Sequence, residues 1–288
     1  MRQAQALQAV LLSCQAQIQV NASQIAAADF GPEHVHQLRV GLRRLRSGLR
    51  LFDDLETFAP YLDPSSELTG LSESAATFFR LLGVARDGDV LAGLWAPAVQ
   101  DALQAAGLQQ APTPAAGPPA QASAAEIVRA APQQALLVDL TRMIERLEQA
   151  AQHQKGKSAP LRPLLQRRLR RWHRKIRSAA ASFAELDVDG RHQLRKRLKR
   201  FRYGMEFYSE LFAAQHLKAG LKPVRQAQQV LGELNDLALA LTASRAALAE
   251  NQQAWFALGW LSAKQQQLLD SALPVMQRLA KASLPWKT

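Results

Sequence analysis

Apolar residues recur along this chain at helical spacing. Leu7, Leu11, Cys14 and Ile18 stand at offsets of 0, 4, 7 and 11, one face of an amphipathic helix. The same stripe returns as Leu38, Leu42, Leu45, Leu49 and Phe52, as Leu165, Leu169, Trp172 and Ile176, and as Leu194, Leu198, Phe201, Met205 and Tyr208. Periodicity assigns Trp172 to a core rather than to a stacking platform. No run of apolar/polar alternation is convincing, and no Asn-Gly or Asp-Gly pair joins two β-type runs. Ala, Leu, Gln and Arg dominate, all good helix formers. The pattern predicts an all-α fold with helices over 3–28, 33–57, 65–84, 87–106, 126–152, 160–183, 190–213, 216–232, 235–250 and 254–282. The Pro/Ala-rich stretch 109–125 reads as a linker between a first helical half, 1–108, and a second, 126–288.

The two halves repeat each other. Residues 36–46 (HQLRVGLRRLR) and 192–202 (HQLRKRLKRFR) align at a constant offset of 156, with seven of eleven positions identical. Leu82-Gly83 through Asp87 then matches Leu231-Gly232 through Asp236 at an offset of 149. A shared order with a slightly different spacer predicts an internal duplication within one 1–288 domain, two pseudo-symmetric helical bundles packed together.

Charge singles out the same segments. The chain of 288 residues carries +12, from 36 Lys+Arg against 24 Asp+Glu. Residues 161–202 hold 15 Lys+Arg and 3 Asp+Glu, which equals the whole excess, while 33–50 add five Arg to one Glu and 51–80 answer with six acids to one Arg. Such concentration points to a binding surface for a polyanion. At 100° per residue, His36, Arg39, Arg43, Arg46 and Arg50 fall within an arc of about 80°, beside the leucine stripe. In the second copy His192, Arg195, Lys199 and Arg202 form the equivalent face, and Lys196, Arg197 and Arg200 widen it. Like charges at i,i+4 destabilise a helix, so an all-cation face needs a reason: acids from elsewhere, or a bound anion. A further basic helix spans 162–177, with Arg167, Arg170, Arg171 and Arg174 on its exposed faces.

Other chemistry is poorly supported. A single cysteine, Cys14, excludes an internal disulfide and a cysteine-based zinc site and fits a reducing cytosol. Leu11-Leu12-Ser13-Cys14 faintly resembles a lipoprotein cleavage box, but Gln3, Gln5 and Gln8 interrupt the apolar core that an export signal requires. His34 and His36 point to different sides of a helix, and no carboxylate cluster completes a metal site. His36 has no evident orienting acid for a nucleophilic role. Contact with phosphate and burial in helix packing both remain open for His36 and His192. No stretch is apolar and long enough to insert into a membrane.

The pair VHQLRVGLRRLRSGLRLF (35–52) and HQLRKRLKRFRYGMEF (192–207) resembles the two signature helices of the CHAD family, the conserved histidine α-helical domain. LLGVARDGDV (81–90), LGELND (231–236) and Gly259-Trp260-Leu261 resemble its remaining landmarks. The resemblance implies a pseudo-symmetric helical domain that binds inorganic polyphosphate without cofactor or metal and sits on polyphosphate granules in the cytoplasm. It implies contacts from His36, Arg39, Arg43, Arg46 and Arg50, from His192, Arg195, Lys199 and Arg202, and from Arg86; Arg44, Lys196 and Arg200 extend the candidate surface. Two positions depart from a symmetric pattern, because Glu206 stands opposite Arg50 and Asn235 opposite Arg86. Two other readings compete. A nucleic-acid backbone would suit the same guanidinium forks, although aromatics are only 6% and offer few stacking platforms. A phosphoanhydride-cleaving enzyme would need a metal cluster or nucleophile–base pair, and none can be assembled. Oligomeric state is not legible.

Overall fold

The structure, a computed structural model, describes residues 3–52, 67–108, 123–153, 160–211, 213–249 and 254–284; the side chains at 84–90, 92, 153 and 211 lie outside that description. Among the described residues there are ten α-helices, joined by a π-helical segment and short 3-10 turns, and no strand. The helices are α1 (Gln3–Ala26), α2 (Pro32–Leu51), α3 (Thr69–Val90), α4 (Ala96–Ala105), α5 (Ala124–Arg129), α6 (Ala131–His153), α7 (Leu161–Ala181), α8 (Val188–Phe207), α9 (Ala214–Ala246) and α10 (Ala254–Lys281).

The predicted apolar stripes are the buried ones. Leu38, Leu42, Leu45 and Phe52 are fully inaccessible, as are Leu165, Leu169, Ile176, Leu194, Leu198 and Met205. Trp172 is half-buried. Cys14 sits fully buried inside α1, and burial pushes its thiol up to about 12, so it is neither an exposed nucleophile nor a modification site. Local chemistry sets the helix starts. α2 opens with Pro32 in its first turn, and the Gly31 N–H donates to His34 Nδ1 at 3.0 Å. His34 is therefore a capping residue.

Several boundaries differ from the sequence reading: α2 ends at Leu51 and α8 at Phe207, short of the expected 57 and 213. The expected breaks near residues 84–87 and 232–235 are absent: α3 continues to Val90, into a π-helical turn (Leu91–Trp95), and α9 runs unbroken past Gly232. Gly83 and Gly232 look like helix stops, but each lies inside a helix and gives room to a neighbour, described below. Conversely, the expected helix 126–152 is two. Ala130 is extended at ψ 142°, the conformation of a residue that precedes a helix start, and it separates α5 from α6, whose first turn holds Pro132. The Ser123 hydroxyl accepts from the Glu126 N–H, and the Glu126 carboxylate accepts from the Ser123 N–H at 2.6 Å, a capping box that starts the helix at Ala124. The last residues of the expected linker are thus helical, and 109–122 lie outside the described residues.

The chain divides into two compact units, and the division does not follow the linker. The first comprises residues 1–84, 122–172 and 200–213; the second comprises 85–121, 173–199 and 214–288. In the first unit α1 packs on α2, α5 and α6, and the Tyr208 hydroxyl donates to the Ala6 carbonyl at 3.3 Å. Two glycines bring α1 and α2 together: a Cβ at Gly41 would lie 2.9 Å from Ile18 Cγ1, and one at Gly48 would lie 2.5 Å from Val10 Cγ1. In the second unit α9 pairs with α10. A core of Val99, Leu103, Leu237, Leu241 and Leu261 joins them to α4.

Candidate functional site

In the first unit α2 buries its leucines and leaves His36, Arg39, Arg43 and Arg46 half-buried and Arg50 exposed. This gradation matters, because a half-buried guanidinium is partly stripped of water yet still reachable. α3 supplies the support. Arg39 Nη1 donates to the Phe79 carbonyl at 3.2 Å, and its guanidinium lies 4.2 Å from the centre of the Phe79 ring. Arg43 lies over the same ring at 5.3 Å. One turn further along α3, a Cβ on Gly83 would come within 3.0 Å of Arg39 Nη1. A side chain at that helical position would make the guanidinium give way.

Arg46 has a different environment. Burial lowers its pKa first, and the neighbouring charges of Arg50, Arg80 and Arg43 lower it further. Its Nε is buried and has no hydrogen-bond partner among the described residues. Three like charges beside it, and a donor unsatisfied among the described residues, both act against the charged form of Arg46. Arg80 was not among the candidates read from sequence, and neither was Phe79. Their signal was the spacing Phe79, Arg80, Gly83 just before and within the Leu-Gly motif, which puts an aromatic and a glycine on one helical face.

Arg44 is committed elsewhere. It points to α1, where Nη1 donates to Gln17 Oε1 at 2.9 Å and Nη2 to Ser13 Oγ at 3.3 Å, and its guanidinium lies 5.4 Å from the Phe207 ring. Arg86 lies in the last turns of α3, and its side chain is outside the described residues.

In the second unit, α8 places His192 and Arg195 against α9. The contact of Arg39 with Gly83 has a looser parallel here: a Cβ on Gly232 would stand 4.0 Å from Arg195 Nη2. His192 Nδ1 is 3.2 Å from Asn235 Oδ1, and Asn235 Nδ2 donates to Asp236 Oδ1 at 3.3 Å. With the amide nitrogen engaged by Asp236, the amide oxygen faces the imidazole, so Nδ1 carries the proton and donates. Nε2 is left to gain or lose the second proton. Burial lowers the His192 pKa, and the Lys196 and Arg195 charges add to this against the opposing pull of Asn235 and Asp189. The imidazole is held neutral at pH 7. His192, Arg195, Asn235 and Asp189 line a cleft of about 280 Å³, walled on its apolar side by Leu231, Leu234 and Ala238.

The remaining candidates are spread along α7 and α8. Lys196 is exposed and Lys199 half-buried. In the first unit Arg200 lies 5.8 Å from the Trp172 ring, and Arg202 lies 4.9 Å from the Tyr203 ring and 3.5 Å from Glu206 Oε1. Glu206, standing opposite Arg50 in the repeat, therefore neutralises part of the second stripe. On α7, Arg167, Arg170, Arg171 and Arg174 are exposed, as their helical phase requires. Among the described residues no group of three or more His, Cys, Asp or Glu could hold a metal ion. No helix among them is long and apolar enough to cross a membrane.

Fold and site together define an all-helical protein in which long helices present histidine and arginine beside a buried leucine stripe. Residues 9–245 match the CHAD domain family, and the chain belongs to it. The structure is similar to the crystal structure of the CHAD domain from the plant Ricinus communis, with a TM-score of 0.75 and 27% identity, over 96% of this chain and 92% of that one. A search of curated proteins found no match.

Proposed function

We propose that this protein binds inorganic polyphosphate, without cleaving it, through the cationic faces of α2 and α8. The environment of Arg46 carries the reading: its half-buried charge sits among Arg43, Arg50 and Arg80, with Nε unsatisfied among the described residues. A phosphate oxyanion at the accessible edge of that guanidinium would accept a charge-assisted hydrogen bond and offset three repulsive neighbours at once. Arg39 and Arg43, propped on Phe79, extend the row along the helix at intervals of about 5 Å, a spacing that suits a repeating anion rather than a single phosphate. Affinity comes from charge-assisted hydrogen bonds and from release of the polymer's condensed cations. A nucleic-acid backbone offers the same oxygens but also bases, for which these faces provide little: the Phe79 ring is already covered by Arg39 and Arg43. Retention on polyphosphate granules in the cytoplasm follows from the same contacts.

Calorimetric titration with long-chain polyphosphate, followed by a phosphate-release assay with Mg²⁺ or Mn²⁺, tests this. Binding without release is the expected result; steady release would make the protein an enzyme.

Two further outcomes are expected. Gly83→Ala adds a good helix former, which stabilises by about 1 kcal/mol. It also forces Arg39 Nη1 to give way at a 3.0 Å contact, so affinity should fall several-fold while the melting temperature holds or rises. Unchanged affinity would show that Arg39's position is immaterial. The second outcome concerns pH. Because the folded-state pKa of His192 lies below its ordinary 6.5, protonation is disfavoured in the free protein, and stability is lost as pH falls through the folded value. A bound phosphate reverses the preference by accepting from Nε2–H. Binding should therefore tighten from pH 7.5 to 5.5 with proton uptake, and His192→Gln should flatten that profile.

A further inference from the structure

We propose that the second unit carries another phosphate-polymer site, formed by the start of α9 and the end of α10 and separate from the two signature faces. It rests on the reading of the protein as a polyphosphate binder. Two clefts, of about 590 and 460 Å³, adjoin each other there and share Ala219, Lys222 and Gln226. Lys222 lines both; His216, Arg278 and Lys281 line the first, and Lys218 and Arg225 the second. Neither lining includes a carboxylate among the described residues.

The placement follows from helical phase. Lys218, Lys222 and Arg225 stand at i, i+4 and i+7, within an arc of about 60°, rising by roughly 6 and 4.5 Å along the axis. Leu221, Val224 and Gln228 occupy the buried side of the same turns. The three cations are exposed, as are Arg278 and Lys281, which approach from the last turn of α10. From Ala214 to Gly232 the helix contains no Asp or Glu. Like charges three and four residues apart oppose helix formation, and here Lys218 and Lys222 on α9, and Arg278 and Lys281 on α10, each follow one another with no acid between the two members of the pair. A solvated face would ordinarily mix signs. The surface is concave, and no aromatic ring lines it among the described residues. Both properties favour a flexible chain of phosphates over a membrane, which needs an apolar face, or RNA, which needs stacking partners.

The test is lysine acylation with an amine-reactive reagent, read by mass spectrometry, alone and with long-chain polyphosphate, RNA or anionic phospholipid vesicles at matched ionic strength. It uses the full-length protein and the Arg39→Gln/Arg43→Gln/Arg46→Gln variant. Acylation of Lys218, Lys222 and Lys281 should slow at least about threefold in both proteins. Slowing at Lys196 and Lys199 alone would overturn this site and leave the signature faces as the binding surface. Slowing of Lys218, Lys222 and Lys281 in the unaltered protein but not in the variant would also overturn it, since those lysines would then only follow a polymer held elsewhere. No slowing at any lysine would overturn both readings. Slowing by anionic phospholipid vesicles or RNA, but not by polyphosphate, would overturn the site as a polyphosphate site and give the surface to the other anion.

Discussion

Replacing Arg39, Arg43 and Arg46 together by Gln should weaken polyphosphate binding by upward of about 100-fold. Hydrogen bonds to charged groups contribute roughly 1.5–3 kcal/mol each, and neighbours on one stripe do not add independently, so a loss of about 3 kcal/mol or more is expected. Each phosphate contact also releases a condensed cation. By analogy with single-stranded nucleic acid, losing three contacts should reduce the slope of log affinity against log salt by about 2. Stability should move the other way at one of the sites. Arg46 is half-buried among Arg43, Arg50 and Arg80, so Arg46→Gln alone should leave the melting temperature unchanged or raise it, most clearly at low salt. A residue that costs the free protein stability and supports the complex has the signature of a ligand contact rather than a scaffold. If the triple variant folds and binds with an undiminished salt slope, the site lies elsewhere.

The largest effect on stability should come from Gly48. A Cβ there would stand 2.5 Å from Val10 Cγ1, closer than real packing allows, with Phe207 Cε2 at an ordinary contact distance of 3.6 Å, so α1 and α2 would have to part. Gly48→Leu should cost about 3 kcal/mol or more, because overpacking of a tight contact is not relieved by helix propensity. Gly48→Ala gains about 1 kcal/mol of propensity against a smaller clash and should come out between neutral and mildly destabilising. Val10→Ala opens the space that the new methyl needs. In the double variant the two effects should therefore be less than additive, with the deficit of Gly48→Ala largely recovered. Chemical denaturation of the four proteins in the cycle measures this. Strict additivity would mean that the helices do not meet at this pair.

Much of this architecture was legible in the residue pattern because one physical rule governs it: an amphipathic helix must bury its apolar stripe. The stripe Leu38, Leu42, Leu45 and Phe52 is buried as its spacing required, and so is Leu194, Leu198 and Met205. The family was legible for the same reason, since its signature lies in those stripes and the cations beside them. The long helices were less so. Gly83 and Gly232 have the look of helix ends, because glycine is the residue that ends helices at least cost. In the folded chain they sit mid-helix and admit Arg39 and Arg195, a reason that exists only once α2 faces α3 and α8 faces α9. Ser123 and Glu126 did announce a helix start, inside a stretch whose composition otherwise reads as linker.

The cationic face itself was visible in sequence, but its supports were not. Phe79 holds two guanidinium groups through its ring, and one of them through its carbonyl as well, and nothing in residues 36–50 points to it. Arg44 is the converse case. Its charge counts equally in any local sum, yet it lies off the 80° stripe, and Gln17 and Ser13 engage it. Charge counts find a basic segment; helical phase and neighbours decide which of its cations can meet a ligand. The Asn235 link to His192 shows the same limit, because a repeat offset of 149 paired Asn235 with Arg86 and gave no sign of the imidazole.

The measurement that bears most directly on the central claim is a competition titration at several salt concentrations. Labelled long-chain polyphosphate is bound to the protein and displaced by unlabelled polyphosphate, RNA, DNA or ATP at equal phosphate concentration. Displacement by polyphosphate at least about tenfold more effective than by either nucleic acid, with ATP weaker still and the preference kept as salt rises, is the result expected of guanidinium rows matched to a chain of bare phosphates. RNA or DNA displacing polyphosphate as well as polyphosphate displaces itself would contradict it.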